Sequence, residues 1–202
     1  MPAFITAALV FLLSFLLGSL PFSVWLGRLF LHRDVRRYGD GNPGTMNVIR
    51  AGSPVLGILV MILDIIKGVL PPLVVLSMAE VTNLNLFISG VAPVLGHAFS
   101  PFLKFKGGKA LAVTLGTWIG LTTWQVPIVA VTTILIGKYL LDSEGWALMI
   151  ALVSMLLAIL FWWYSPLFAW ILIAQSCILV VKHRDSLSHP PHLHPRWHRG
   201  AA

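Results

Sequence analysis

Charged side chains are scarce in this chain: they make up 10% of its 202 residues, against a hydrophobic share of 57% and a mean hydropathy of +0.88. Soluble domains carry roughly a quarter charged residues, so the shortage excludes an ordinary soluble domain and points to an integral membrane protein. Cysteine is almost missing. Cys177 stands alone in the last apolar run, which excludes an internal disulfide or a cysteine metal centre. A basic stretch ahead of the first apolar run is also lacking, so MPAFITAALVFLLSFLLGSLPFSVWLG is expected to stay in place as one long helix and not to be removed as a signal peptide. Nor is there a G-x-x-x-x-G-K-[ST] loop: Lys109 is followed by Ala110, with no Ser or Thr placed for Mg²⁺, which argues against an ATPase.

What is present is a series of apolar runs. A helix needs about 20 residues to cross the hydrocarbon core, and the pattern predicts an all-α polytopic membrane protein of about seven transmembrane helices. They are expected near 3–30, 54–78, 85–103, 110–123, 125–141, 146–163 and 166–182, as one bundle over 1–184. The net charge of +7 would suggest nucleic acid in a soluble protein. Here the cations alternate between loops instead. Arg33, Arg36, Arg37 and Arg50 lie in the first, AEVTNLN has none, Lys104, Lys106 and Lys109 follow, LTTWQ has none, and Lys138 and then Lys182 and Arg184 close the series. By the positive-inside rule this places the N-terminus outside and the C-terminus in the cytoplasm, with no nucleic-acid partner. Residues 185–202, ending SHPPHLHPRWHRGAA, lack apolar periodicity and are expected to form a disordered cytoplasmic tail, with no metal assigned to its histidines.

The polar features that remain gather on the cytoplasmic side. GDGNPGTMNVIR begins with turn formers, Gly39, Asp40, Gly41 and Asn42, then Pro43 and Gly44. Asn47 and Arg50 follow at i and i+3 on a restarting helix, so an amide and a guanidinium share a face suited to a phosphate or carboxylate. In FLKFKGGKALAVTLG, Gly107 and Gly108 would let backbone N–H groups approach an anion at a helix start, flanked by Lys106 and Lys109. Topology and anionic-lipid contact are the plainer reading of those lysines. Asp64 and Lys67, at i and i+3 deep in the second apolar run, suit a buried structural ion pair, with substrate contact or proton relay as the other reading. His97 either orients the lysine loop, binds substrate or merely ends a helix, and His183 could donate to a phosphate or work as acid or base.

Taken in order, GSLPFSVWLGRL, GDGNPGTMNVIR, LDIIKG, GHAFSPFLKFKGGK and KHRDS resemble the bacterial acyl-phosphate:glycerol-3-phosphate acyltransferases of the PlsY type. The resemblance implies a seven-helix membrane enzyme of phospholipid synthesis, its active site on the cytoplasmic side of the cell membrane. It would transfer a fatty acyl group from acyl phosphate to the 1-hydroxyl of glycerol 3-phosphate, giving lysophosphatidic acid and phosphate, with no cofactor. It implies that Gly107, Gly108 and Lys109 belong to a phosphate-binding loop and that Arg50 and His183 match the family's essential arginine and histidine. With these, Asp40 is expected among the catalytic residues, and Asn42, Gly44, Asn47, His97, Lys106 and Ser186 among those that bind substrate or phosphate. The chain departs from the family's pattern where Asp40 replaces the serine of GSGN, where Ser186 replaces the asparagine of H-x-x-N, and where Ala110 replaces the last glycine of FKGGKG. Asp40 would then accept the hydroxyl proton or tie down Arg50. Two rivals follow: a catalytically silent lipid- or phosphate-binding relative, and a small-anion transporter, for which the paired broken helices of inverted repeats are lacking.

Overall fold

The structure is a computed structural model describing residues 2–162 and 164–194, in which α-helices follow one another through short loops. The chain packs as two compact units, Met1–Leu121 and Thr122–Ala202. The first holds α1 (Ala3–Ser19), α2 (Phe22–Leu31), α3 (Thr45–Arg50), α4 (Pro54–Leu76), α5 (Asn83–Ala98) and nearly all of α6 (Leu111–Thr122). The second holds α7 (Gln125–Leu140), α8 (Glu144–Trp162) and α9 (Pro166–Leu187).

Each of the seven expected apolar runs is helical. Among the described residues, five stretches are long and apolar enough to cross a membrane: Ala3–Leu31, Pro54–Leu76, Asn83–Leu103, Glu144–Trp162 and Pro166–Leu187. The remaining two, α6 and α7, are apolar but shorter, at 12 and 16 residues. The first run is not the one continuous helix expected from sequence. Pro21 has no N–H to donate and forces the residue before it out of the helical region. Leu20 is accordingly extended, at ψ 117°, and α1 stops at Ser19 before the chain restarts as α2.

α4 shows why these helices belong in lipid. Val60, Asp64, Lys67, Pro71 and Val75 recur every three or four residues and form its buried stripe. Its other face carries Ile58, Ile62 and Ile66, each about half exposed. A helix that is apolar all round has hydrocarbon, not water, for its outer neighbour. α6 crosses α4 where Gly68 faces Gly116, and a Cβ on either would collide with the other helix's backbone. Such small residues let membrane helices approach closely. At one end of this unit Val24, Val35, Val48, Leu56, Val60 and Leu103 form an apolar cluster. It anchors the base of the loop between α2 and α4.

In the second unit α8 packs on both α7 and α9. Ser165 caps α9 by accepting the Phe168 N–H at 3.4 Å, ahead of Pro166 in the first turn. α9 continues through Leu187, so the segment expected as a tail from 185 begins as helix. Beyond it the Trp146 indole donates to the His189 carbonyl at 2.8 Å, Asp142 N–H to that of His192 at 3.1 Å, and His194 N–H to that of Leu140 at 2.8 Å. Residues 195–202, with His198, lie outside the described residues.

Candidate functional site

The loop from 32 to 53 is built on ion pairs and turns. Asp34 accepts from Arg36 at 2.6 Å and from Arg28 at 2.9 Å. The Arg36 hydrogen bond above all holds its carboxyl well below the usual carboxylate range, against burial that raises it. Arg33 donates to the Ala51 carbonyl at 2.6 Å and so ties the start of the loop to its end. Gly39 and Gly41 take the left-handed region, at φ 56° and 74°, and bring Asp40 round toward α3.

Asn47, buried at 1% exposure, organises the loop. Its amide donates to Asp40 Oδ1 at 3.0 Å and to the Asn42 carbonyl at 2.9 Å, while its oxygen accepts from Arg50 at 3.0 Å. Both its donor hydrogens and its acceptor are therefore engaged, and it positions its neighbours more than it offers itself to a ligand. The Gly44 N–H donates to the Asn42 carbonyl at 2.9 Å and Gly44 opens α3. Arg50 lies exposed at the other end of that short helix.

Across from this loop stands the glycine–lysine segment. Lys104, Phe105 and Ala110 all have positive φ, at 53°, 61° and 61°, a left-handed conformation that costs a side-chain-bearing residue roughly 1–2 kcal/mol. Such strain persists only where the surroundings over-determine it and clusters at ligand clamps. The surroundings here are the end of α5. Gly107 and Gly108 are buried, a Cβ on Gly108 would strike the His97 ring, and Gly108 N–H donates to the His97 carbonyl at 3.1 Å. The Gly108 amide is thus turned inward and does not face an anion as expected. Its glycine is required for closeness to His97. Lys106 is exposed.

Lys109 points at the loop of α3. Its ammonium lies 2.8 Å from Asp40 Oδ2, with the two side chains 26% and 45% exposed. The other oxygen, Asp40 Oδ1, accepts from Asn42 N–H at 3.1 Å as well as from Asn47. Burial on its own raises the Asp40 carboxyl, but the Lys109 hydrogen bond and those from Asn42 and Asn47 outweigh it and hold the pKa at about 2. A carboxylate that acidic is a poor general base at neutral pH, which weighs against the proton-accepting role expected of Asp40. It does not hold Arg50 directly either; Asn47 stands between them.

Beneath the glycines lies a second polar cluster. Lys67, at 2% exposure, is 2.8 Å from Asp64 Oδ1, donates to the Leu20 carbonyl at 2.8 Å and sits 5.4 Å from the centre of the Phe22 ring. His97 Nδ1 lies 3.8 Å from the same Asp64 oxygen. The pair expected from the i, i+3 spacing forms, and through His97 it supports Gly108. The sequence reading missed the Leu20 carbonyl, freed by Pro21, and Ser100, whose hydroxyl donates to the Ser19 carbonyl at 2.6 Å. The only signal for either was the proline in GSLPF.

His183 and Ser186 belong to the second unit. His183 is buried, with Nδ1 2.8 Å from the Leu179 carbonyl. Since a carbonyl only accepts, Nδ1 is the donor in this contact. Ser186 does different work from that expected. Its hydroxyl accepts the Gly145 N–H at 2.8 Å and its carbonyl accepts from Ser143 at 2.9 Å, so it caps the start of α8. Among the described residues no group of three His, Cys, Asp or Glu is placed to hold a metal ion.

The chain matches the family model described as "Glycerol-3-phosphate acyltransferase" over residues 8–189. It is 33% identical over 190 residues to a glycerol-3-phosphate acyltransferase of Streptococcus gordonii, covering 91% of this chain and 88% of the relative. A glycerol-3-phosphate acyltransferase of Bartonella henselae is 35% identical over 187 residues, covering 90% and 87%. The crystal structure of PlsY (YgiH), an integral membrane glycerol 3-phosphate acyltransferase, in its glycerol 3-phosphate form superposes with a TM-score of 0.80 at 30% identity, over 90% of each chain. Its lysophosphatidic acid form gives a TM-score of 0.79 at 28% identity. A match over nearly the whole length, in sequence and in fold, makes this chain a member of the glycerol-3-phosphate acyltransferase family.

Proposed function

We propose that this protein transfers a fatty acyl group from acyl phosphate to the 1-hydroxyl of glycerol 3-phosphate. The reaction releases lysophosphatidic acid and phosphate, on the cytoplasmic side of a membrane spanned by seven helices with the N-terminus outside. The observation that carries the reading, beside family membership, is the 2.8 Å contact of Lys109 with Asp40. It brings the glycine–lysine segment and the Asn47–Arg50 loop, far apart in sequence, to one anion-holding place.

Acyl phosphate is a mixed anhydride with a good leaving group, so no covalent nucleophile is needed. The hydroxyl oxygen bonds to the acyl carbon, the bond from that carbon to the phosphate oxygen breaks, and the hydroxyl proton leaves with the phosphate or with a base. The protein's share is to hold two phosphates together and stabilise the charge that develops, which is positioning and electrostatics. Lys109 and Arg50 supply the cations, Lys106 adds a third at the rim, and Asn47 sets their spacing. His183 is assigned acid or base work, and Asp64 with Lys67 a structural role. An apolar groove of ≈ 320 Å³ between α1 and α4, lined by Leu13, Leu17, Leu70 and Val74 among others, begins one turn beyond Leu20 and Lys67 and suits an acyl chain.

The same Asp40–Lys109 contact favours one other reading, a silent relative that binds phosphate or lipid without turnover. Purified protein given palmitoyl phosphate and labelled glycerol 3-phosphate decides between them. Labelled lysophosphatidic acid is expected. Its absence, together with its appearance in the Asp40→Ser, Ser186→Asn double variant, establishes the silent reading; uptake into liposomes without acylation would indicate transport.

A further inference from the structure

We infer that Asp40 is an internal stand-in for substrate phosphate: its carboxylate occupies the Lys109 ammonium and competes with a phosphate group for it. This rests on the reading of Lys109 as a phosphate-binding residue. The Asp40 carboxylate is held by one ammonium, one backbone N–H and one side-chain amide. Ammonium, amide and N–H donors are also what a phosphate oxygen seeks, so the chain has filled its own anion cradle. The occupant is exchangeable by position. Its side chain is 45% exposed, and Gly39 and Gly41 flank it with positive φ, so the turn can swing without a Cβ penalty. An arriving phosphate either expels the carboxylate from Lys109 or binds beside a fixed negative charge, and both weaken its affinity.

Asp40 therefore sets how tightly the site takes phosphate, and it acts on entering acyl phosphate and on departing phosphate alike. The trade is slower capture at low substrate against faster release of the phosphate product. Neither Asn42 nor Asn47 can do this, because neither carries charge.

The test uses the full chain in detergent and labelled inorganic phosphate as the probe, measured by equilibrium dialysis. Asp40→Asn is expected to tighten phosphate binding about tenfold, Asp40→Glu to stay within about twofold of the native protein, and the gain from Asp40→Asn to vanish when Lys109→Ala is present as well. In the acylation assay the Michaelis constant for palmitoyl phosphate should fall in Asp40→Asn, with turnover equal or lower. Should Asp40→Asn fail to accumulate, Asp40→Ser replaces it and carries the same expectation. Unchanged or weaker phosphate binding in the uncharged variants, or a gain that survives Lys109→Ala, overturns the inference. Phosphate binding that follows the expected pattern without any acylation leaves the inference standing and defeats the acyltransferase reading instead.

Discussion

Two lysine–aspartate pairs in the first unit share the same 2.8 Å separation and differ in their surroundings. Lys67 and Asp64 have side chains 2% and 5% exposed, whereas those of Lys109 and Asp40 are 26% and 45% exposed. The inner pair is cornered: Lys67 also holds the Leu20 carbonyl, and both side chains are almost fully buried. The outer pair joins two loops at a partly exposed place, where solvent and any phosphate ligand compete for the lysine. Equal geometry thus serves opposite purposes, permanence in one place and exchange in the other.

The sharpest way to break this contrast is to remove each lysine. Lys67→Ala leaves Asp64 as an unpaired buried charge, and loss of one partner of a buried pair costs about 3–5 kcal/mol. A large fall in the detergent melting temperature, or failure to accumulate, is the expected result. Asp64→Leu with Lys67→Met should recover much of that loss but not all, because the Leu20 carbonyl then keeps only the Phe22 N–H and loses the ammonium, a deficit of about 1 kcal/mol. A double variant as unstable as Lys67→Ala would mean that packing, not charge, is what Lys67 provides.

Lys109→Ala should show the reverse profile. An exposed ion pair is worth at most about 1 kcal/mol of stability, so the melting temperature should barely move. Turnover with palmitoyl phosphate should fall about a hundredfold or more, the usual effect of losing one charge-stabilising donor. A variant that acylates at near-native rate would reduce Lys109 to a topological cation. Lys104→Ala is the control, with a much smaller effect expected.

Ala110 bears on the outer pair from one residue away. It holds φ at 61° with a side chain present. Glycine there would relieve roughly 1–2 kcal/mol of left-handed strain and surrender about 0.5–1 kcal/mol in chain entropy. Ala110→Gly should therefore stabilise by about 0.5–1 kcal/mol, a rise of a few degrees in a melt; a fall would show that the Ala110 methyl is needed for packing.

The smallest effect is on pH dependence. The Asp40 carboxyl is depressed from its ordinary 3.8 to about 2 in the folded protein. Its contribution is therefore fully present above about pH 4 and disappears as pH falls through about 2, with solvent screening keeping it below roughly 1 kcal/mol. Carbon-13 NMR of the labelled carboxyl should give a midpoint near 2, moving up toward 3.8 in Lys109→Ala. A midpoint already at 3.8 in the native protein would mean that the lysine and carboxylate do not meet in solution.

The two pairs were unequally legible in the sequence. Lys67 and Asp64 are neighbours on one helix turn, and two charges in an apolar run can hardly avoid each other. Asn47 and Arg50 were readable for the same local reason. The seven apolar runs were plain from composition, since lipid demands them. Asp40 with Lys109 was not legible, because nothing local couples positions in different loops, and each residue alone suggested a different partner. The Leu20 carbonyl has no side-chain signature at all, and Pro21 announces a break without saying what the break is for. Ser186 looked like a ligand from its place in a motif, although a hydroxyl near the start of another helix is equally fit to cap it.

That break has a consequence for how the protein is made. The Leu20 carbonyl reaches its second donor only when Lys67 has emerged, 47 residues later. At 5–20 residues per second, synthesis leaves this group without its final partner for roughly 2–9 s. Until then a tight turn from the Phe22 N–H, at 3.1 Å, is all that satisfies it, a poor arrangement for hydrocarbon, so the helix break should stay near the lipid–water boundary until α4 arrives. One proline and one lysine, 46 positions apart, thus bear on the order in which the chain is seated, and shifting either by a residue would leave the break at Leu20 without its ammonium.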